Sequence, residues 1–315
     1  MYDNLISFVI PCYRSENTIK DVVSEVISVV EKKRGKYDYE FILVNDCSPD
    51  NVWSVINTLA IENQKIKGVN LAKNFGQQAA ILAGMAQTKG SYVFCLDDDG
   101  QAPIDATFEL IKKLDEGYDV VYAKYHEVKQ NLFRRFGSDV SKKMSQICIG
   151  IPKDIRVTSF FVLKRLIVDE IVKYKNPYAF LSGLIFRTTR KVTCVETNHR
   201  ERKEGKSGYT LKKLLSLWMN GFTAFSIKPL QISTYLGVFF AFVGFVYAIV
   251  VFLQKLLGHI TSVGWASVVC LLLIIGGMIM VMLGLIGEYL GRIYICMNKS
   301  PQYVIRNTIN IEEKI

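Results

Sequence analysis

The sequence predicts an α/β protein with a mostly parallel sheet and helices on both faces. An interfacial helix and a two-helix transmembrane hairpin follow it. Three observations carry that expectation. From the N-terminus to about residue 125, short apolar runs alternate with helix-length amphipathic stretches, as in strands joined by right-handed helical crossovers. Polar and acidic residues gather where the apolar runs stop, the edge at which open sheets bind ligands. Two windows, Pro229 to Gln254 and Ile260 to Gly287, hold no charged residue, and each exceeds the roughly 20 residues a helix needs to cross a bilayer core.

Taken in order, Ile6–Pro11 reads as the first strand, its apolar stretch too short for a signal peptide. Ser15 or Asn17 caps a helix from Ile19 to Lys33. Tyr39–Asn45 is the second strand, Val52–Asn63 the second helix and Gly68–Leu71 a short third strand. A loop at Lys73–Gly76 leads into an apolar helix from Gln77 to Thr88, then a buried strand at Tyr92–Leu96. Ala106–Glu116 reads as a helix and Asp119–Lys124 as a strand. Leu132–Ile149 is basic and partly amphipathic. Arg156–Leu163 has strand character and precedes a helix over Lys164–Lys173. Tyr209–Phe225 sets leucines and Trp218 beside Lys212 and Lys213, which suits a helix lying in the membrane interface. The expected division is a soluble domain at 1–208, a juxtamembrane helix at 209–228, two spans within 229–291 (about 232–254 and 265–287) and a tail at 292–315.

Basic residues flank the spans unevenly. Lys212, Lys213 and Lys228 precede the first, and Arg292, Lys299 and Arg306 follow the second, while the connecting loop carries Lys255 and His259. The positive-inside rule then puts both termini in the cytoplasm, in a multi-pass protein of the plasma membrane. The net charge of +10 fits attraction to anionic headgroups. Nucleic acid is not an expected partner, because the basic residues cluster beside the spans without a recognition motif. The seven cysteines form no Cys-x-x-Cys pair, which argues for reduced thiols and against zinc or a disulfide framework. Gly276, Gly277, Gly284 and Gly287 allow close helix approach, either inside the hairpin or between copies in a homo-oligomer.

The most informative stretch is Asp97-Asp98-Asp99-Gly100-Gln101, at the end of the strand Tyr92–Leu96. Carboxylates crowded at a strand terminus repel one another unless a cation sits among them. Hard oxygen ligands suit Mg²⁺ or Mn²⁺, which complete their shells with water and phosphate. Pro11-Cys12-Tyr13, Asn45-Asp46 and Lys73-Asn74 fall at three other strand ends of the same edge.

These residues resemble a known family. Val9-Ile10-Pro11-Cys12-Tyr13-Arg14-Ser15-Glu16-Asn17, Val44-Asn45-Asp46-Cys47-Ser48-Pro49-Asp50, Leu71-Ala72-Lys73-Asn74-Phe75-Gly76-Gln77 with Ala83-Gly84, and Asp97 to Pro103 occur in the order found in family 2 glycosyltransferases of GT-A fold. The run Arg200 to Tyr209 ahead of paired spans is similar to the polyprenyl-phosphate sugar transferases, acting on undecaprenyl or dolichyl phosphate. The resemblance implies a catalytic centre of Asp97, Asp99, Arg202 and Ser159. Asp97, Asp99 and Gln101 would hold Mg²⁺ or Mn²⁺ and the donor diphosphate. Pro11, Tyr13 and Glu16 would frame the base and Asp46 the nucleoside. Lys73 and Asn74 would reach the nucleotide, with a structural loop role for Asn74 equally open, and Asp98 would contact the ribose or serve structurally. Arg200, Arg202, Lys206 and Ser207 would bind the acceptor phosphate, with Arg134 and Arg135 as weaker candidates. The implied reaction is inverting transfer of one sugar from a nucleotide-sugar to a polyprenyl phosphate, UDP-glucose and undecaprenyl phosphate first, GDP-mannose and dolichyl phosphate second.

Two positions depart from the commonest family pattern. Asn45 stands where many members have Asp, and Ser159 where many have an acidic residue. Asp154 substitutes only if its loop turns inward. A processive synthase would carry a Gln-x-x-Arg-Trp motif, which is absent. A phosphatase would place its Asp-x-Asp near the first strand. An inactive scaffold is disfavoured by the intact acidic triplet.

Overall fold

The structure is a computed structural model describing residues 2–125, 150–177, 180–197, 228–257, 264–298 and 300–312. The strands are β1 (Tyr2–Cys12), β2 (Asp38–Asn45), β3 (Ile66–Leu71), β4 (Gly90–Cys95), β5 (Val120–Tyr125), β6 (Phe161–Lys164), β7 (Val192–Thr197) and β8 (Ile305–Ile309). They form one eight-stranded sheet in the order β7-β5-β6-β4-β1-β2-β3-β8. Neighbours among β1, β2, β3 and β4 are parallel, as are β5 and β7. β6 runs against both of its neighbours and β8 against β3, so β5 and β7 point the same way as β4.

Strands buried on both faces must be apolar throughout, and Phe41, Ile42, Leu43 and Val44 are fully buried in succession. Because side chains alternate, Phe8, Ile10, Phe41 and Leu43 enter one layer while Val9, Ile42 and Val44 enter the other. Helices α1 (Ile19–Glu31), α2 (Val52–Glu62) and α4 (Thr107–Asp115) cover the first layer. Helices α3 (Gln77–Met85), α5 (Arg165–Ile171) and α6 (Leu181–Thr188) cover the second. Phe8 stacks between Phe41 and Phe94, at centroid distances of 5.4 and 5.3 Å. α3 approaches the sheet closely at Gly84, where an added Cβ would lie 2.5 Å from Val9 Cγ1 and 2.9 Å from Val44 Cγ2.

The fold class is as expected, with differences at element ends. The cap of α1 is Thr18, not Ser15 or Asn17. Its hydroxyl does not cap the helix but donates to the Asp98 carbonyl at 2.6 Å, because the acidic loop sits over that helix end. Three elements, α6, β7 and β8, were not read from the sequence. The tail at 292–315 contains β8, which pairs along β3 from Gly68↔Ile309 to Leu71↔Ile305.

Two long helices precede β8, namely α7 (Lys228–Leu256) and α8 (Trp265–Met297). Among the described residues one stretch, Ile275–Met297, is long and apolar enough to cross a membrane, and the apolar Gly237–Tyr247 is shorter. Large apolar side chains on both helices face outward, including Phe242 at 66% and Val281 at 71% exposure. An added Cβ at Gly276, Gly277, Gly284 or Gly287 would meet nothing within 4 Å, whereas one at Gly237 would touch Met282. Gly237 of α7 therefore lies beside Met282 of α8. The connection carrying these helices joins opposite edges of the sheet. It leaves β7 at Thr197, beside the end of β5, and enters β8 at Ile305, beside the end of β3. Both joints lie on the side where β1 to β4 terminate.

Candidate active site

The acidic loop begins two residues past β4. Asp97 accepts a hydrogen bond from the Gln77 amide at 2.6 Å, so the start of α3 holds it. Burial, together with the neighbouring Asp99 and Asp98 carboxylates, pushes Asp97 up to about 6, against the pull of Ser159 and Gln77. Asp98 turns the other way, accepting the Tyr13 amide at 3.0 Å, and burial raises it too. Asp99 accepts the Gln101 amide at 3.1 Å, across a turn that Gly100 permits with a φ of 72°.

Among the described residues no three carboxylate, imidazole or thiol side chains converge as a metal cluster. The donor set at the loop is two carboxylates, Asp97 and Asp99, and the Gln101 amide. Such a set suits Mg²⁺ or Mn²⁺, whose remaining positions go to water and phosphate oxygens. Burial is the main cause of the raised Asp97 carboxyl, and the adjacent Asp99 and Asp98 carboxylates add negative charge that a cation would offset.

The other strand ends build a scaffold around this loop. Asp46, 3% exposed, accepts the Phe75 amide at 2.7 Å and the Gly76 amide at 2.9 Å. Its carboxylate thus shapes the turn into α3 and is not presented to solvent, and burial raises its pKa. Gly76 is needed there because its φ is 89°. Glu16 accepts the amide of Asn51, the cap residue of α2, at 2.9 Å. Asp50 accepts the Glu16 amide at 3.0 Å. Glu16 and Asp50 therefore clip two loops together behind Pro11. Tyr13, Lys73 and Asn74 remain exposed on the same edge, with the Lys73 ammonium 5.0 Å from the Phe75 ring centre.

Asn45, the first departure from the family pattern, has a structural reason. Its amide donates to Asn70 Oδ1 at 2.9 Å, and the Asn70 amide donates to Asn307 Oδ1 at 2.9 Å. An aspartate at 45 has no N–H to begin that chain. Val304 and β8 hold the same corner twice more. The Ala72 amide donates to the Val304 carbonyl at 2.9 Å, and Arg306 donates to the Ala72 carbonyl at 3.1 Å. Ala72, the residue that leads into the Lys73–Gly76 loop, is thus held by residues beyond the long helices.

Behind Asp97 lies a cavity of about 230 Å³, walled by α3, α6, Tyr122 and the Val157–Ser159 and Phe161 segment. Ser159 lines it, and Asp154 is exposed and does not. Asp97, Ser159 and Gln77 are therefore brought together, and Asp99 and Gln101 adjoin them. Arg134, Arg135, Arg200, Arg202, Lys206 and Ser207 lie outside the described residues. Residues absent from the sequence reading of the site are Gln77 as a partner of Asp97, Tyr122, Ser182, Arg306 and Asn307. Only Gln77 carried a signal, as the last residue of Leu71-Ala72-Lys73-Asn74-Phe75-Gly76-Gln77.

Residues 7–172 match the family described as Glycosyl transferase family 2. The chain belongs to glycosyl transferase family 2. Residues 228–293 match the GtrB C-terminal hairpin. The glycosyltransferase YkcC of Bacillus subtilis, named as uncharacterized, is 33% identical over 309 residues, 98% of this chain and 95% of its own. The bactoprenol glucosyl transferase of Shigella phage SfV is 31% identical over 305 residues, 96% of this chain and 98% of its own. Among solved structures, glucosyl-3-phosphoglycerate synthase from Mycobacterium tuberculosis in complex with Mn²⁺, UDP and phosphoglyceric acid superposes with a TM-score of 0.53. It is 18% identical over 70% of this chain and 76% of its own, a likeness of fold.

Proposed function

We propose that this family 2 glycosyltransferase moves one sugar from a nucleotide-sugar, UDP-glucose first, to a polyprenyl phosphate such as undecaprenyl phosphate at the cytoplasmic membrane face. One observation carries the reading: both connections to the long apolar helices leave from the site edge of the sheet, at its two opposite borders. Two spans anchored this way turn the acidic loop towards the bilayer, where a lipid phosphate is confined. The hairpin match and the SfV relative, named as a bactoprenol glucosyl transferase, support the same acceptor.

Asp97, Asp99 and Gln101 would hold a divalent cation, which neutralises charge on the departing diphosphate. Asp98 ties the acidic loop to Tyr13. Tyr13, Lys73 and Asn74 line the nucleotide side, on the frame made by Pro11, Glu16 and Asp46. The acceptor phosphate oxygen is already anionic near neutral pH, so it attacks the anomeric carbon without a strong base. The bond from that carbon to the diphosphate oxygen breaks, and the configuration inverts in the single displacement. Alignment of the two oxygens supplies much of the rate. Ser159 then needs no proton-accepting role, and its place is beside Asp97. The acceptor phosphate requires clustered cations, and Arg200, Arg202, Lys206 and Ser207, with Arg134 and Arg135, are the residues proposed.

The test is transfer by purified full-length protein in liposomes containing undecaprenyl phosphate, with Mg²⁺ or Mn²⁺ and radiolabelled donors. Label from one nucleotide-sugar should enter the lipid with inverted configuration. Transfer from none of the donors rejects the proposal.

A further inference from the structure

Asn45, Asn70 and Asn307 stand opposite one another in register on β2, β3 and β8, so their side chains share one face of the sheet. Asn45 is buried, Asn70 half-buried and Asn307 exposed. The polarity of their amide chain is fixed at its inner end. Ser48 donates its backbone N–H to Asn45 Oδ1 at 3.0 Å, which leaves the Asn45 nitrogen to face Asn70. Asn70 then turns its oxygen to Asn45 and its nitrogen to Asn307, each bond 2.9 Å long. The chain also continues towards the site. The Ser48 hydroxyl accepts the Arg14 amide at 2.7 Å, and Asp98 accepts the adjoining Tyr13 amide at 3.0 Å. Cys47 and Arg14, on either side of the Ser48 contact, have φ of 50° and 59°. Residues with a Cβ keep such values only where their surroundings hold them.

We propose that Asn307 is a positioning residue for the donor nucleotide, acting through Asn70 and Asn45 on the turns at Cys47–Ser48 and Tyr13–Arg14. The inference rests on the transferase reading above. It makes the nucleotide edge depend on a strand that arrives only after the two long helices. The chain is directional, and that gives it a signature. A carboxylate at position 307 accepts the Asn70 amide as the Asn307 oxygen does. A carboxylate at position 45 still accepts Ser48 but makes Asn70 turn over, and exposed Asn307 must then turn over to donate. Carboxylates at both positions leave the Asn70 oxygen facing an acceptor, with no donor to meet it.

The experiment titrates the full chain in nanodiscs with UDP and with GDP, each with Mn²⁺, by calorimetry. Donor KM and kcat are measured beside it, with undecaprenyl phosphate as acceptor. Asn307→Leu removes the terminal acceptor. It should weaken binding of the nucleotide the wild type takes, and raise donor KM, by roughly three- to tenfold, with kcat changing less. Asn307→Asp keeps the acceptor and should weaken binding less than Asn307→Leu does. In an Asn45→Asp background the order inverts, and adding Asn307→Asp should cost roughly three- to tenfold more than the product of the single effects. Simple repulsion of the nucleotide by the new charge acts equally in both backgrounds and cancels from that comparison. Should the double variant not fold, the contrast of Asn307→Leu with Asn307→Asp at an exposed position decides alone. Equal nucleotide affinity in the wild type and both variants at 307 overturns the inference, as does an Asn307→Asp effect of one size in both backgrounds. The transferase reading then stands. A wild type that binds neither nucleotide and transfers from no donor overturns both.

Discussion

Asp97 illustrates how one carboxylate takes opposite demands from its surroundings. Burial and the adjacent Asp99 and Asp98 favour its neutral form, while Ser159 and Gln77 favour the charged form, and the net is an elevation to about 6. Only the ionised carboxylate binds a divalent cation, so protons compete below that value. Apparent Mn²⁺ affinity of the donor-free protein should therefore be flat above pH ~6 and fall about tenfold per unit below it, as isothermal titration at stepped pH would show. The sign for stability is the reverse. A carboxyl raised in the folded state favours folding below its unfolded value and loses that contribution as pH rises through about 6. Asp99→Asn keeps the shape of the loop and removes a ligand charge. Transfer should drop by about a hundredfold or more while the circular dichroism spectrum and melting temperature stay unchanged.

At the scale of elements, α3 links the core to the site. Its closeness to the sheet at Gly84 places Gln77 against Asp97, and the Asp46 carboxylate holds the turn that precedes it. Gly84→Ala sets a methyl 2.5 Å from Val9 and 2.9 Å from Val44, side chains stiff at χ1. It should cost about 1–3 kcal/mol in thermal or denaturant unfolding, and Val9→Ala should recover part of that loss. Most of this element was legible in the sequence, because a run of small apolar residues after Gly76 is typical of a helix packed tightly on a sheet. Its partners were not. Nothing in Asp46 distinguishes a carboxylate that touches a nucleoside from one that binds two backbone amides, since the choice depends on where residues 75 and 76 fold back. Glu16 was illegible for the same reason: its partner, the Asn51 amide, is set by how two loops meet.

Across the whole molecule, the described sheet is bordered by a strand that follows the two long apolar helices. Without β8, β3 becomes an open edge, a template for edge-to-edge pairing, and Ala72, which leads into the Lys73–Gly76 loop, loses its Val304 and Arg306 contacts. Truncation before Gln302 should lower solubility in detergent, read by size-exclusion chromatography. The milder pair Arg306→Ala and Asn307→Leu should raise KM for the donor several-fold with little change in kcat, because it loosens the loop proposed to meet the nucleotide and leaves the acidic loop intact. Alternation of apolar runs determined, from the sequence by itself, a mostly parallel α/β sheet, and the motifs at its strand ends carried the resemblance to family 2 glycosyltransferases. Those signals are local in the chain, so they survive without any knowledge of packing. Tertiary structure alone decided that β7 and β8 form the borders of the sheet, that Asn45 starts an amide chain ending at Asn307, and that Tyr122 is buried in the wall of the cavity behind Asp97. Each of these is a meeting of residues far apart in sequence, and such meetings follow from how strands are ordered in space, which no short-range pattern encodes.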